Sequence, residues 1–563
     1  MGYLEKSIKW KEYNELDALL KAELESMNDQ ELKEAFTDDL EFGTGGLRGV
    51  LGVGTNRMNY YVVRKATLGF GRYLESFNNA HEKGVVIAYD NRHYSKEFAL
   101  DSAKVLTTLG FNIYLFESLR PTPELSFAVR YLKAIGGIMI TASHNPKEYN
   151  GYKIYDENGC QLVPHLADKV IEEINKIDDY FSIDNTKNHE KIHFIGKEID
   201  EKYCQLVNTI RINKDIKADF KIVYTPLHGT GLVFAAEVLK DNGFDCYPLE
   251  VQMTNDPNFS GVKTSNPEDP RAFDEAIEYA KKIGAKLVLA TDPDADRLGM
   301  GILHNGEYVL LNGNQSATIM IDYICRELKK QDRLPENGWV FSTNVSSELP
   351  LKIARKYGLQ TYISLTGFKF IGDQARKIEG NGTYVYGFEE SYGCLIKDFV
   401  RDKDAIQAIL MICEIAAWAY ENGMDLVDYL QQIYEREGYA YESQSNIYLK
   451  GLDGKAKINY IMEYFRNNER LYKFGNVIKK EDNLLQISYT YEENKVLTET
   501  IDLPKSNVLK YYFENGSWFV LRPSGTEPKI KVYYGTIGKN SEESIKFNKR
   551  LKDEIMSVIN SLI

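Results

Sequence analysis

Three times along this chain a short apolar run gives way to a helical stretch and then to a second apolar run, and that alternation constrains the fold more than any other feature. Val85-Val86-Ile87-Ala88-Tyr89 precedes a helical stretch from Lys96 to Leu109, and Asn112-Ile113-Tyr114-Leu115-Phe116 follows it. Lys221-Ile222-Val223-Tyr224 precedes a helix near Val233 to Asn242 and a strand ending at Ala290. Trp339-Val340-Phe341-Ser342, a helix near Leu349 to Tyr357, and Thr361-Tyr362-Ile363 make the third unit. Strands separated by helices pair mainly in parallel, with the helices covering the sheet faces. From about residue 435 the pattern changes. Val508 to Phe513 and Ser517 to Leu521 flank Asn515-Gly516, a hairpin turn signal; Lys529 to Tyr534 adds a strand and an amphipathic helix closes the chain.

These patterns predict an α/β protein: three similar α/β domains with mixed, mainly parallel sheets, and a C-terminal α+β domain with an antiparallel sheet. A chain of 563 residues exceeds one hydrophobic core. Boundaries near 207, 311 and 435 give segments 1–207, 208–310, 311–434 and 435–563. Leu16, Leu19, Leu20 and Leu24 have helical spacing, so one or two surface helices open the chain. The net charge of −13 argues against a nucleic-acid partner, so an anionic substrate must be held by a local cluster of Arg and Lys. Six scattered cysteines without a CxxC pair read as reduced, buried thiols. The N-terminus has no apolar signal core, and no apolar run reaches membrane-spanning length. The expectation is a cytoplasmic protein without a membrane partner.

Two motifs lie just past strand-like runs. Gly137-Ile138-Met139-Ile140 delivers Thr141-Ala142-Ser143-His144-Asn145-Pro146, and Lys286 to Ala290 opens onto Asp292-Pro293-Asp294-Ala295-Asp296-Arg297. The first offers a hydroxyl and the second three alternating carboxylates that can converge on one hard cation such as Mg²⁺. An EF-hand would need Gly and Glu where Arg297 and Leu303 stand. A solvated acidic turn is the plain alternative, but open α/β sheets bind ligands at such strand ends. Ser143 is not in GxSxG and His144 is badly placed as a triad base, so a hydrolase reading is weak. A serine that accepts a phosphoryl group needs less base strength when a metal and cations neutralise the developing charge. Arg297 beside the acidic loop fits a phosphate oxygen.

Arg522-Pro523-Ser524-Gly525-Thr526-Glu527-Pro528 offers a guanidinium fork, two hydroxyls and a pliant backbone, as a phosphate monoester requires, with a plain strand-connecting turn as the alternative. Phe42 to Gly49 is Gly-rich but fails GxGxxG, because Arg48 holds the sixth place. Glu389 and Ser391, two residues apart, can hydrogen-bond sugar hydroxyls, although taken alone the motif fits an exposed acidic turn equally well. Arg401-Asp402-Lys403-Asp404 could add positive charge, although a solvated charge run is the commoner explanation.

Taken in order, Gly46-Leu47-Arg48-Gly49, Thr141 to Pro146, Asp292 to Arg297, Gly387 to Ser391 and Arg522 to Pro528 resemble the α-D-phosphohexomutase superfamily of phosphoglucomutases, phosphomannomutases and related phosphopentomutases. Thr366-Gly367-Phe368-Lys369 and the Phe before Glu389-Glu390-Ser391 look closest to the bacterial phosphoglucomutase branch that resembles animal phosphopentomutases. The resemblance implies four domains in a heart shape around a central cleft. It implies Ser143 as phosphoserine, Mg²⁺ on Asp292, Asp294, Asp296 and Ser143, and Arg48 and Lys153 assisting proton transfer. His144, Arg297, Lys369, Glu389, Ser391, Arg401, Lys403, Arg522, Ser524, Gly525 and Thr526 would bind substrate. Ala405 and Tyr152 depart from the usual Gly and Phe without removing a functional group. The implied reaction interconverts glucose 1-phosphate and glucose 6-phosphate through glucose 1,6-bisphosphate. Phosphomannose or phosphopentose isomerisation, a bisphosphate synthase and a silent sugar-phosphate-binding protein stay open, as does a monomer or a dimer.

Overall fold

The computed structural model describes residues 2–43, 46–449, 454–468, 472–492, 495–524 and 529–563. The chain forms two compact units, Met1–Gly313 with Phe368–Asp425, and Asn314–Gly367 with Leu426–Ile563.

The first unit carries two sheets. One has six strands, β1 (Leu47–Val50), β2 (Val85–Tyr89), β3 (Ile113–Phe116), β4 (Gly136–Ile140), β5 (Tyr149–Asp156) and β6 (Ile192–Ile195), ordered β1-β5-β4-β2-β3-β6. β2 is parallel to β3 and β4, β3 is parallel to β6, and β5 runs antiparallel to β4 and β1. β2 and β4 are buried along their whole length, which explains why they read as unbroken apolar runs. Helices Ser95–Thr108 and Thr122–Tyr131 pack on both. The other sheet has five strands, β7 (Lys221–Thr225), β8 (Asp245–Pro248), β9 (Leu287–Thr291), β10 (Leu298–His304) and β11 (Glu307–Leu311), ordered β11-β10-β9-β7-β8. Here β7 is parallel to β8 and β9, and β9, β10 and β11 are successively antiparallel.

Three helices, not one or two, open the chain: Tyr3–Glu12, Ala18–Ser26 and Asp29–Phe36. Two caps break the helical pattern. Asp17 Oδ1 accepts from the amides of Leu19 and Leu20, and Asn28 and Glu31 form a reciprocal capping box. Trp10, Leu24 and Phe36 are buried with Tyr61 beneath these helices. Helix Ala405–Glu421 is buried on nearly every side and packs on helices Lys197–Val207 and Ala235–Asp241 and on β10. That packing assigns 368–425 to the first unit.

In the second unit Gly338–Thr343 and Gln360–Ser364 pair in parallel, with helix Leu349–Lys356 between them. A seven-stranded antiparallel sheet follows, ordered Tyr439–Tyr448, Lys529–Gly538, Trp518–Pro523, Leu509–Phe513, Val477–Asp482, Ile487–Tyr491 and Val496–Thr500. The hairpin turns at Asn515-Gly516, with Tyr512 opposite Trp518 and Gly516 left-handed. Helices Gly454–Asn467 and Ser541–Leu562 close the core over Leu509, Phe519 and Val532, the second helix contributing Leu551.

Candidate active site

β4 ends in a turn that holds Ser143 at φ +51°, and Thr141 Oγ1 accepts the Ser143 amide at 2.8 Å. A left-handed non-glycine residue costs about 1–2 kcal/mol, so the surrounding contacts must enforce it. Gly151 on β5 lies against this turn; a β-carbon there would run into the carbonyl oxygens of Thr141 and Leu47.

The acidic loop closes between β9 and β10. Asp292 Oδ1 accepts the amides of Asp296 and Arg297 at 3.1 and 3.0 Å, while Ala295 turns left-handed. This folds the three carboxylates together, with one oxygen from each within 4.8 Å of the others. Ser143 Oγ donates to Asp292 Oδ2 at 2.7 Å, joining the two motifs across 149 residues of sequence. Lys153 Nζ and Thr122 Oγ1 donate to Asp294 Oδ2 at 2.8 and 2.9 Å, and Lys403 Nζ lies 3.0 Å from Asp296 Oδ2. Asp294 Oδ1 and Asp296 Oδ1 are buried without a hydrogen-bond partner. Orphaned carboxylate oxygens are costly unless something positive meets them, and two such oxygens in an acidic cluster fit a hard divalent cation.

Charge tunes the cluster. Burial raises the Asp292 carboxyl well above its ordinary range, and Asp294 and Asp296 add to the rise. Burial also opposes ionisation of Asp294, but the Lys153 ammonium, a hydrogen bond from Asp292 and the Lys403 charge together outweigh it and hold that carboxyl far below the usual range. Lys403 and Arg297 are buried cations held charged, the first chiefly by Asp296 and the second by Glu268.

His144 Nδ1 lies 3.1 Å from Ser143 Oγ, nearer than the shared backbone suggested. Its pKa is driven well below the ordinary value by burial and by the Arg297 and Arg48 charges, so the ring is neutral at pH 7. Arg48 Nη1 donates to Asn145 Oδ1 at 3.1 Å, which sets it beside the Ser143 turn. Arg297 pairs with Glu268 and keeps a buried Nε with no hydrogen-bond partner. Glu389 is 5 % exposed and acts electrostatically on Arg297 and Lys403. Ser391 is half-buried two residues on, and Lys369 is buried at the start of helix Phe368–Lys377. Arg401 is not brought to the cluster: its guanidinium is fully buried against Asp398 and Glu379. Arg522 and Ser524 belong to the other unit, at the end of strand Trp518–Pro523, and Gly525 and Thr526 lie outside the described residues. Thr122 and Glu268 escape sequence reasoning. The only hint of Thr122 is Pro121-Thr122-Pro123, which reads as a helix start.

Comparison with known proteins agrees with this architecture. The chain matches the phosphoglucomutase/phosphomannomutase alpha/beta/alpha domain I over residues 39–181, domain II over 201–304, domain III over 312–436 and the C-terminal domain over 476–546. It therefore belongs to the phosphoglucomutase/phosphomannomutase family. A phosphoglucomutase of Staphylococcus aureus strain MRSA252 is 40% identical over 523 residues, covering 92% of this chain and 93% of that protein. The strain MSSA476 phosphoglucomutase is 39% identical over 533 residues, covering 94% and 95%. Among solved structures, the open form of the Paramecium exocytosis-sensitive phosphoprotein pp63/parafusin, a phosphoglucomutase, superposes with a TM-score of 0.68 at 19% identity, covering 93% and 95%. A putative phosphomannomutase from Thermus thermophilus gives 0.64 at 20%, covering 92% and 99%. The expected α/β fold with a C-terminal antiparallel-sheet domain is borne out.

Proposed function

We propose that this chain is a phosphoglucomutase that interconverts glucose 1-phosphate and glucose 6-phosphate through phosphorylated Ser143 and a glucose 1,6-bisphosphate intermediate. The observation that carries this reading is the 2.7 Å contact between Ser143 Oγ and Asp292, inside an acidic cluster that leaves two buried oxygens without a hydrogen bond. The relatives named phosphoglucomutase at 39–40% identity favour glucose over mannose or pentose.

Mg²⁺ would be held by Asp292, Asp294, Asp296 and a phosphoserine oxygen, where it supplies charge neutralisation for the transferring phosphoryl group. The free hydroxyl of a bound sugar phosphate takes the phosphoryl group from Ser143; the O–P bond to Ser143 breaks as the new one forms, and the hydroxyl proton passes to a nearby base. Arg48 and Lys153 are the candidates to manage proton and charge there. The bisphosphate then turns over, returns its other phosphoryl group to Ser143 and leaves as the isomer. Glu389 and Ser391 would read sugar hydroxyls, with His144, Arg297, Lys369 and Lys403 adding substrate contacts; Arg401, buried against Asp398 and Glu379, would not. Arg522, Ser524, Gly525 and Thr526 would grip whichever phosphate is not transferring. The near-complete burial of Ser143, 3% exposed, supports exclusion of water, which would otherwise hydrolyse the phosphoserine. Segment 1–207 would carry the phosphoserine, 208–310 the metal, 311–434 the sugar contacts and 435–563 the phosphate grip, in a cytoplasmic enzyme.

A coupled assay with the 1-phosphates of glucose, mannose, ribose and deoxyribose tests the substrate, with glucose 1-phosphate expected to give the highest kcat/KM. Ser143→Ala should abolish turnover, and a residual rate above about a tenth of wild type would refute the covalent route.

A further inference from the structure

The register of the six-stranded sheet sets two loops side by side. Tyr89 and Ile140 are partners at the ends of the parallel strands β2 and β4. Three residues beyond each stand Arg92 and Ser143. The loops are joined at once, because the Asp90 amide donates to Ile140 O at 3.0 Å.

Arg92 is fully buried, and its terminal nitrogens are spent on the serine-bearing turn. Nη1 donates to Pro146 O at 2.8 Å and to Tyr149 O at 3.0 Å, and Nη2 donates to Ser143 O and Asn145 O. All four acceptors are main-chain carbonyls between residues 143 and 149. Asp90 Oδ2 sits 3.3 Å from Arg92 Nε, and the guanidinium lies over the Phe259 ring at 5.2 Å. The loop is also tied to 256–258, through Asn91 Nδ2 to Asp256 O at 3.0 Å and His93 Nε2 to Asn258 Oδ1 at 3.0 Å. With its side chain fully buried and its terminal nitrogens committed to main-chain carbonyls, Arg92 is not placed to touch substrate. A planar fork with several fixed donors can, however, hold a turn of carbonyls that would otherwise relax away from a left-handed residue.

We propose that Arg92 is a positioning residue: its guanidinium binds the four carbonyls of the 143–149 turn and thereby fixes the direction of Ser143 Oγ toward the acidic cluster. This rests on Ser143 as the phosphoryl carrier. The geometry requires the fork as well as the charge. Lysine would keep the charge beside Asp90 but could not span four carbonyls from one tetrahedral nitrogen.

The test compares Arg92→Lys and Arg92→Ala with wild type by kcat and KM for glucose 1-phosphate, thermal melting, and activity with low-millimolar guanidinium chloride against equal sodium chloride. The expected result for Arg92→Lys is a folded protein with kcat down about a hundredfold, the cost of an ångström-scale misplacement, and KM nearly unchanged. Guanidinium, but not sodium, should restore part of the Arg92→Ala turnover. Wild-type kcat in Arg92→Lys, or a loss confined to KM, would overturn the proposal. Unfolding of both variants would also overturn it, by giving Arg92 to the fold alone. Ser143→Ala, assayed alongside, separates the two readings. If it keeps its activity, the phosphoserine route has failed; if it is dead while Arg92→Lys is intact, only the positioning role has.

Discussion

Lys153 and Asp294 form a buried ion pair, 2.8 Å from Nζ to Oδ2, while the other oxygen of that carboxylate has no hydrogen bond. The same division recurs at Asp296, where Lys403 meets one oxygen and the other has no hydrogen bond. With Arg297 beside Asp296, 3.7 Å from Nε to Oδ1, three cations stand among three carboxylates. Each carboxylate is thus partly neutralised, yet Asp294 and Asp296 each keep an oxygen without a hydrogen bond to offer a metal.

Lys403→Met tests that balance. Removing one partner of a buried pair strands the other charge, at a cost of about 3–5 kcal/mol. Melting in excess chelator should fall accordingly, and saturating Mg²⁺ should recover much of the loss, because the ion meets the stranded Asp296 charge. An equal loss with and without Mg²⁺ would show that Lys403 does not share its partner with a metal.

The left-handed Ser143 separates activity from stability. Ser143→Ala keeps the β-carbon in a disfavoured conformation, whereas Ser143→Gly relieves about 1–2 kcal/mol of it and gives back about 0.5–1 through the unfolded chain. Both should be inactive, with Ser143→Gly melting above Ser143→Ala in parallel scans. The reverse order would mean that the turn is not strained.

Burial lowers the Lys369 ammonium from its ordinary value to about 8. The side chain is charged below that pH and neutral above it, so any help it gives an anionic substrate is lost as pH rises. KM for glucose 1-phosphate should climb above about pH 8 in wild type. Lys369→Met should have a higher KM throughout and no such limb. A limb that survives in Lys369→Met would assign it to another group.

Ser143 and the aspartate triplet were legible in the sequence because each follows a strand buried on both faces, whose end is a sharp break in hydrophobicity. Their meeting was not, since it depends on which strands lie side by side. Thr122 reaches Asp294 from a helix start 172 positions away, and no local pattern encodes that. The Arg401 to Asp404 run shows the same limit. Composition marks it as charged, but only the fold turns Lys403 to Asp296, Arg401 to Asp398 and Glu379, Asp402 to the Tyr155 hydroxyl and Asp404 into a helix cap. In the C-terminal sheet, Val496–Thr500 is an exposed edge strand, so it lacks the apolar alternation that would have revealed it.

The opening helices should behave as a separately fraying layer. Trp10 is 1% exposed and touches the rings of Phe36, Tyr61, Tyr180 and Phe181. Trp10→Ala should cost about 3–5 kcal/mol. Because these three short helices bury only a small cluster of their own around Trp10, the loss should appear first as proteolytic cleavage within 12–38. Cleavage spread evenly over the chain would show that the layer does not unfold independently.

Glu442 gives the second unit a stability that depends on pH. Burial raises its carboxyl to about 7, against a smaller opposing hydrogen bond from Ser347. The folded chain therefore holds the proton more tightly than the unfolded one. The contribution is fully present below about pH 4.5 and is lost as pH rises through 7. Its ceiling is about 3 kcal/mol, and less in practice because the side chain keeps partial access to water. Glu442→Gln is permanently neutral, so it should gain on wild type between pH 5 and pH 8 in melting scans of otherwise identical samples. Parallel curves across that window would mean that Glu442 ionises normally in the folded protein, which would place its carboxylate in water.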